Sequence, residues 1–121
     1  MIPTDPTLYE QIGSDFVTRA ITVFYQRAFQ DPIIGHFFFH HDIDHITRQQ
    51  ILFATSMLGG PKQYSGKSLA EAHSQLDLRG PHFDRRQVLM GEVLAELGLD
   101  SDLAARWLQL EQKLRPLIVK G

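Results

Sequence analysis

The chain contains no cysteine. Disulfides, thiolate zinc sites, iron–sulfur clusters and a cofactor attached through a thioether are therefore excluded. It also lacks a long apolar run: the greasiest stretch, Ile33 to Phe39, is interrupted by His36 and is far too short to span a bilayer. An excess of basic charge is missing as well. The formal net charge is −2 and the 12 Lys and Arg residues are scattered, so no nucleic acid and no anionic membrane surface is expected as a partner. The opening Met1-Ile2-Pro3-Thr4-Asp5-Pro6 has neither a basic start nor an apolar stretch, so it does not read as a signal peptide, and a cytoplasmic location is expected. There is no internal repeat, no low-complexity linker and no convincing alternation of strand type.

What is present is a chain of 121 residues, 43% hydrophobic and 21% charged. That composition describes a soluble globular protein, with one domain over residues 1–121 that can build one core and just enclose a cofactor. Nearly every periodic stretch favours 3.6 residues per turn, so the fold class is all-α. A first helix is expected from Asp5, with Pro6 in its first turn, to Gly13. A second runs from Ser14 or Asp15 to Gln30, with Val17, Ile21, Phe24 or Tyr25, and Ala28 inward; Asp31-Pro32 ends it. The third spans Asp42 to Gly59, with Ile43, Ile46, Gln50, Phe53 and Met57 on one face, and a loop follows to Lys67. Ser68 with Glu71 predicts a capping box for a short fourth helix. Gly80-Pro81 opens a fifth that reaches Gly98, with Val88 or Leu89, Val93 and Leu97 inward. Asp100 or Ser101 caps the last, which carries Leu103, Trp107, Leu110, Leu114 and Leu117.

Two polar residues sit on otherwise apolar faces, Gln50 on the third helix and His73 on the fourth. A buried polar group without a partner costs about 1–3 kcal/mol, so each needs one. Taken singly, His73, Gln50 and Tyr25 are more often packed residues with an ordinary hydrogen bond than parts of a site. A separate cluster, His36, His40, His41 and His45, has His41 and His45 spaced i, i+4 on one helix face. It suits a zinc, nickel or copper site, with a solvated histidine-rich turn as the plainer alternative.

The order of local motifs resembles the truncated globins, most closely their group I, from about Leu8 to Leu117. Leu8-Tyr9-Glu10-Gln11-Ile12-Gly13 is similar to the family's first helix and the glycine after it. Phe24-Tyr25-Gln26-Arg27 is similar to the end of its second helix, and Asp31-Pro32 with Phe37-Phe38 to its turn into the pocket. The most specific stretch runs from Leu58-Gly59-Gly60-Pro61 through Tyr64-Ser65-Gly66 to Ala72-His73, and His82-Phe83 follows. The chain departs from the family pattern in four places. Gly13-Ser14 replaces a glycine pair. Ile46 is apolar where a distal donor can stand. Gln49 occupies a position where some members carry an iron-binding histidine. The His40, His41 and His45 cluster has no counterpart in the pattern.

The resemblance implies a two-over-two helical sandwich around non-covalent haem b, with His73 as the iron ligand. It further implies that Tyr25 and Gln50 stabilise a bound diatomic gas, O2, NO or CO. Phe38, Ile46, Gln49, Phe53, Met57, Tyr64, Leu69, Leu76, His82 and Phe83 would complete the cofactor pocket, with Phe38 and Phe83 on different sides of the porphyrin. Lys62, Lys67 or Arg79 could pair with a propionate. His45 could swing in to ligate ferric iron. Oxygen binding or nitric oxide detoxification is the expected role. The second would be a nitric oxide dioxygenase activity served by an external reductase. The expected state is a monomer or weak dimer.

Overall fold

In the computed structural model, which describes residues 5–64 and 68–120, the ordered elements are helical and no strand occurs among the described residues. Helix α1 spans Leu8–Ile12 and starts later than the Asp5-Pro6 signal suggests. Its cap is Thr7, whose hydroxyl accepts from the Glu10 amide (3.1 Å) while the Glu10 carboxylate accepts from the Thr7 amide (2.9 Å). The reciprocal bonds satisfy two amide donors that a helix start leaves orphaned, so the Thr-x-x-Glu box outweighs the proline. Gly13 ends α1 with φ of 95°, a conformation that an L side chain rarely adopts, and turns the chain directly into α2 (Ser14–Gln30). Val17, Ala20, Ile21, Phe24, Tyr25 and Ala28 are buried along α2.

Asp31 stops α2 in extended geometry, as the following Pro32 requires. Its buried carboxylate then does two jobs. One oxygen accepts from the Ile33 and Ile34 amides, at 3.0 and 3.1 Å, and shapes the turn. The other accepts both arms of the Arg85 guanidinium, at 3.1 and 2.8 Å. A single 3-10 turn, Gly35–Phe38, leads to α3 (Ile43–Met57), capped by Asp42. At its far end Gly60 lies so close to α1 that a Cβ would stand 2.7 Å from the Tyr9 ring.

Ser68 caps α4 (Leu69–His73) by accepting from the Glu71 amide at 3.2 Å, but the return bond from Glu71 is not made, so only half of the expected box forms. Helix α5 (Gly80–Glu96) buries Phe83, Leu89, Met90, Val93 and Leu94, which settles the inward phase on Leu89; Val88 is 51% exposed. The final expected helix is two. Helix α6 (Ser101–Gln112) is capped by Asp100, and α7 (Arg115–Ile118) follows a break at Lys113-Leu114. Pro116 has no amide hydrogen to donate to the preceding turn, so the α6 ladder cannot continue through it, and the proline instead sits in the first turn of α7. Leu117, expected inward, is 54% exposed as a result of the turn.

Helix α2 packs on both α3 and α5, α5 packs on α6, and α4 packs on α7. The outcome is the expected pair of helices over a second pair, with α4 and the 3-10 turn at the edge of the space between. No helix among the described residues is long and apolar enough to cross a membrane.

Candidate functional site

The apolar stripe of α3 does not lie where an ordinary packing stripe would. The residues buried against protein are Ala54 and Thr55, while Ile43, Ile46, Gln50, Phe53 and Met57 remain only half-buried. Their face looks into a cleft. Three cavities there meet at His73. The largest, about 420 Å³, is bordered by Phe38, Ile46, Gln49, Gln50, Tyr64 and Leu76, with His41 and His45 at its edge. A second, about 80 Å³, is bordered by Tyr25, Phe38, Leu76, His82 and Phe83. A third, about 60 Å³, adds Phe53, Met57 and Leu69 to Tyr25, Gln50 and Phe83. Each residue nominated from the sequence as pocket-forming borders one of these spaces.

His73 is half-buried at the end of α4, and its Nδ1 lies 2.8 Å from the Leu69 carbonyl. A carbonyl only accepts, so Nδ1 carries a proton, and in the neutral ring Nε2 is the nitrogen left with its lone pair. Gln50 borders two of the cavities, and its amide has no hydrogen-bond partner among the described residues. Tyr25 is buried at the inner end of the cleft, with Phe24 edge-on at 4.9 Å and Phe38 edge-on at 5.9 Å between ring centres. Phe38 also stacks on Phe29 at 4.7 Å. His82 accepts from the Arg79 amide at 2.9 Å and so caps α5.

The alternative histidine site is not assembled. His36 packs on Phe37 and faces His82, His40 is exposed, and His41 and His45 border the large cavity. Among the described residues no three His, Cys, Asp or Glu side chains come together as a metal-binding group. Of the basic residues nominated near the cleft, Arg79 is paired with Asp77 at 2.7 Å and Lys62 is exposed; Lys67 lies outside the described residues.

Sequence reasoning missed a buried ion pair on the cleft wall. Arg86 donates to Glu111 at 2.7 Å, and the other carboxylate oxygen accepts from the Trp107 indole at 3.1 Å. The side chains are 24% and 5% exposed for Arg86 and Glu111. The guanidinium carbon also sits 4.8 Å from the centre of the Phe24 ring. Burial pulls the Arg86 pKa down, but Glu111 and Tyr25 outweigh it, and the group is held even more firmly ionised than usual. Burial pushes the Tyr25 phenol up; Arg86 opposes that rise and Glu111 adds to it. The phenol is therefore neutral at ordinary pH and able to donate. A signal for the pair existed: Glu111 is four residues beyond Trp107 on an apolar stripe, and Arg86 falls between Phe83 and Met90 on the inward face of α5.

Comparison with known proteins gives a consistent result. The family described as bacterial-like globin matches residues 7–119. A group 1 truncated hemoglobin of Tetrahymena pyriformis is 39% identical over 94 residues, 77% of this chain and 78% of that protein. One from Synechocystis is 38% identical over 104 residues, 82% of this chain and 84% of that one. The crystal structure of the Tetrahymena pyriformis protein in its Fe(III) form superimposes with a TM-score of 0.91 at 32% identity, covering 96% of this chain and all of that one. The 2/2 hemoglobin of a Synechococcus, with covalently attached heme, gives 0.81 at 28% identity over 87% and 89% of the two chains.

Proposed function

Since the chain belongs to the bacterial-like globin family, as a truncated haemoglobin that holds haem and binds diatomic gases, we propose that His73 is the iron ligand and that Tyr25 and Gln50 meet the gas on the opposite side. One observation carries the proposal. His73 is the imidazole common to all three cavities, and its Nδ1 is already committed to the Leu69 carbonyl.

The residues present fit non-covalent haem b. The largest cavity, about 420 Å³, falls in the range of roughly 300–1,000 Å³ usual for small-molecule sites. When bound, haem would supply an iron centre able to take a diatomic gas, and His73, as a neutral imidazole, would hold that iron. The Leu69 carbonyl fixes the tautomer and ring plane of His73, which aims the Nε2 lone pair and raises its basicity. Leu69, Leu76 and Phe83 keep water from the imidazole side. Ile46, Phe53 and Met57 keep the gas side apolar, which favours small uncharged molecules such as O2, CO and NO. Within that apolar space Tyr25 offers a hydroxyl proton and Gln50 an amide proton. Both groups favour a ligand that draws negative charge onto itself.

The test is optical. The purified protein, reconstituted with haemin if necessary, should give an intense band near the violet edge that shifts on reduction and again on adding carbon monoxide. His73→Ala should lose the five-coordinate ferrous spectrum and regain it with added imidazole. A variant spectrum identical to that of the unsubstituted protein would remove His73 from the iron.

A further inference from the structure

The helix that carries His73 has little of its own to hold it. Helix α4 is five residues long and none of them is fully buried. A turn of that length does not persist by its own hydrogen bonds, because nucleation costs more than so few bonds return. The place of His73 is therefore set by what packs on α4, chiefly α7. Ile118 of α7 borders two of the three cavities that meet at His73. The break between α6 and α7 lets the chain leave the line of α6 and lie on α4.

Both ends of this segment are tied down. Arg115, at the start of α7, donates to Asp84 on α5 at 2.7 Å, and its guanidinium carbon lies 5.3 Å from the centre of the Phe83 ring. Gly80 leaves room for it: a Cβ there would stand 2.9 Å from the guanidinium. After α7 the backbone turns extended at Val119. Lys120 then bonds twice to the connection between α4 and α5. Its amide donates to the Leu78 carbonyl at 2.8 Å, and its ammonium to the Ser74 carbonyl at 2.6 Å. Ser74 is the residue next to His73, and Leu78 borders a cavity with it.

We propose that Lys120 is a positioning residue for His73: with α7 anchored on α5 through Arg115, it clasps both ends of residues 74–78 and so fixes where the imidazole stands. The Leu69 carbonyl orients the ring from within α4. The clasp holds α4 itself. Exposed bonds of this kind add little to the stability of the whole fold, yet a helix with no buried residue opens locally unless such bonds restrain it.

The test replaces Lys120 in the full chain. The residue is exposed, so the core is untouched. Lys120→Pro removes the amide hydrogen and the ammonium together, and Val119, with ψ of 135°, already suits a following proline. Lys120→Met removes the ammonium alone, and Lys120→Arg keeps a donor there. Thr7→Ala, a lost cap on α1, is the control for a general loss of stability. In the haem-free protein, hydrogen exchange of the Ala72 amide, which bonds to the Ser68 carbonyl within α4, should quicken about three- to tenfold in Lys120→Pro, the scale of one or two lost hydrogen bonds. The effect should be smaller in Lys120→Met and absent in Lys120→Arg and Thr7→Ala. In the haem-loaded protein, release of haemin to an excess of a tighter-binding scavenger should quicken in the same order. The ferrous iron–imidazole stretching band should broaden in Lys120→Pro, as the ring takes up a wider spread of positions.

A band and a release rate that do not respond to Lys120→Pro would overturn the inference, whatever the exchange shows. So would unchanged exchange in that variant, or an equal effect of Thr7→Ala. The role assigned to Lys120 rests on His73 as the iron ligand. If the unsubstituted protein takes up no haem, the proposed function itself fails, and the exchange measurement still decides whether Lys120 holds α4.

Discussion

Gln50 and Tyr25 are both polar residues that border the same cavity, and that shared property separates them from ordinary core residues. Removing the phenol should be felt directly: Tyr25→Phe is expected to raise the oxygen dissociation rate severalfold, up to about tenfold for a bond worth roughly 1.5 kcal/mol. Stopped-flow displacement of oxygen by carbon monoxide measures it, and an unchanged rate would take Tyr25 out of the role. The sequence exposed Gln50 and His73 as polar residues on apolar faces, but the cleft and its lining come from the family resemblance and not from the periodicity. It did not expose Arg86 or Glu111. A charge in a helical pattern is read as solvent-facing unless its partner is known, and these partners lie 25 residues apart on different helices.

At the scale of the element, helix existence was legible and helix ends were less so. Asp31-Pro32 worked as a stop because its signal has no competitor, and of the two caps open for the sixth helix, Asp100 or Ser101, Asp100 takes the position by accepting from the Asp102 and Leu103 amides. At the first helix two signals competed, and the Thr7–Glu10 box prevailed over Pro6. That box closes α1, which is only five residues long and has little propagation energy to offset a lost cap. Thr7→Ala should therefore cost about 1 kcal/mol of stability, read as a lower urea midpoint with an unchanged slope. The last helix was overextended because the Leu110, Leu114, Leu117 spacing continues smoothly past Pro116, and periodicity alone carries no information about a missing amide. The stripe on α3 was placed on the right residues but its neighbour could not be known. Apolar side chains turned toward a cavity and toward another helix look the same in a sequence.

Across the whole molecule, the Asp31–Arg85 bond ties the end of α2 to α5, helices from the two layers that bound the cleft. The Arg85 guanidinium holds the Asp31 carboxyl below the usual range; burial works against this, and the Ile33 and Ile34 amides reinforce it. A carboxyl whose pKa is lower folded than unfolded contributes fully above its unfolded value, and that contribution is lost as the pH falls through the folded one. Asp31→Asn should thus be less stable than the unsubstituted protein at neutral pH, and the gap should close as the pH drops below about 4. Parallel thermal melts across that range would show it, and a gap independent of pH would rule the ion pair out as its source. A last consequence belongs to Trp107. It is the single tryptophan in the chain, fully enclosed, and its indole is bonded to a carboxylate on the cleft wall. Its ultraviolet emission should be bright in the pigment-free polypeptide and dark once a porphyrin is seated nearby, because the excited indole hands its energy to the strong absorber. The native protein therefore reports its own loading and unloading, second by second, with no added dye.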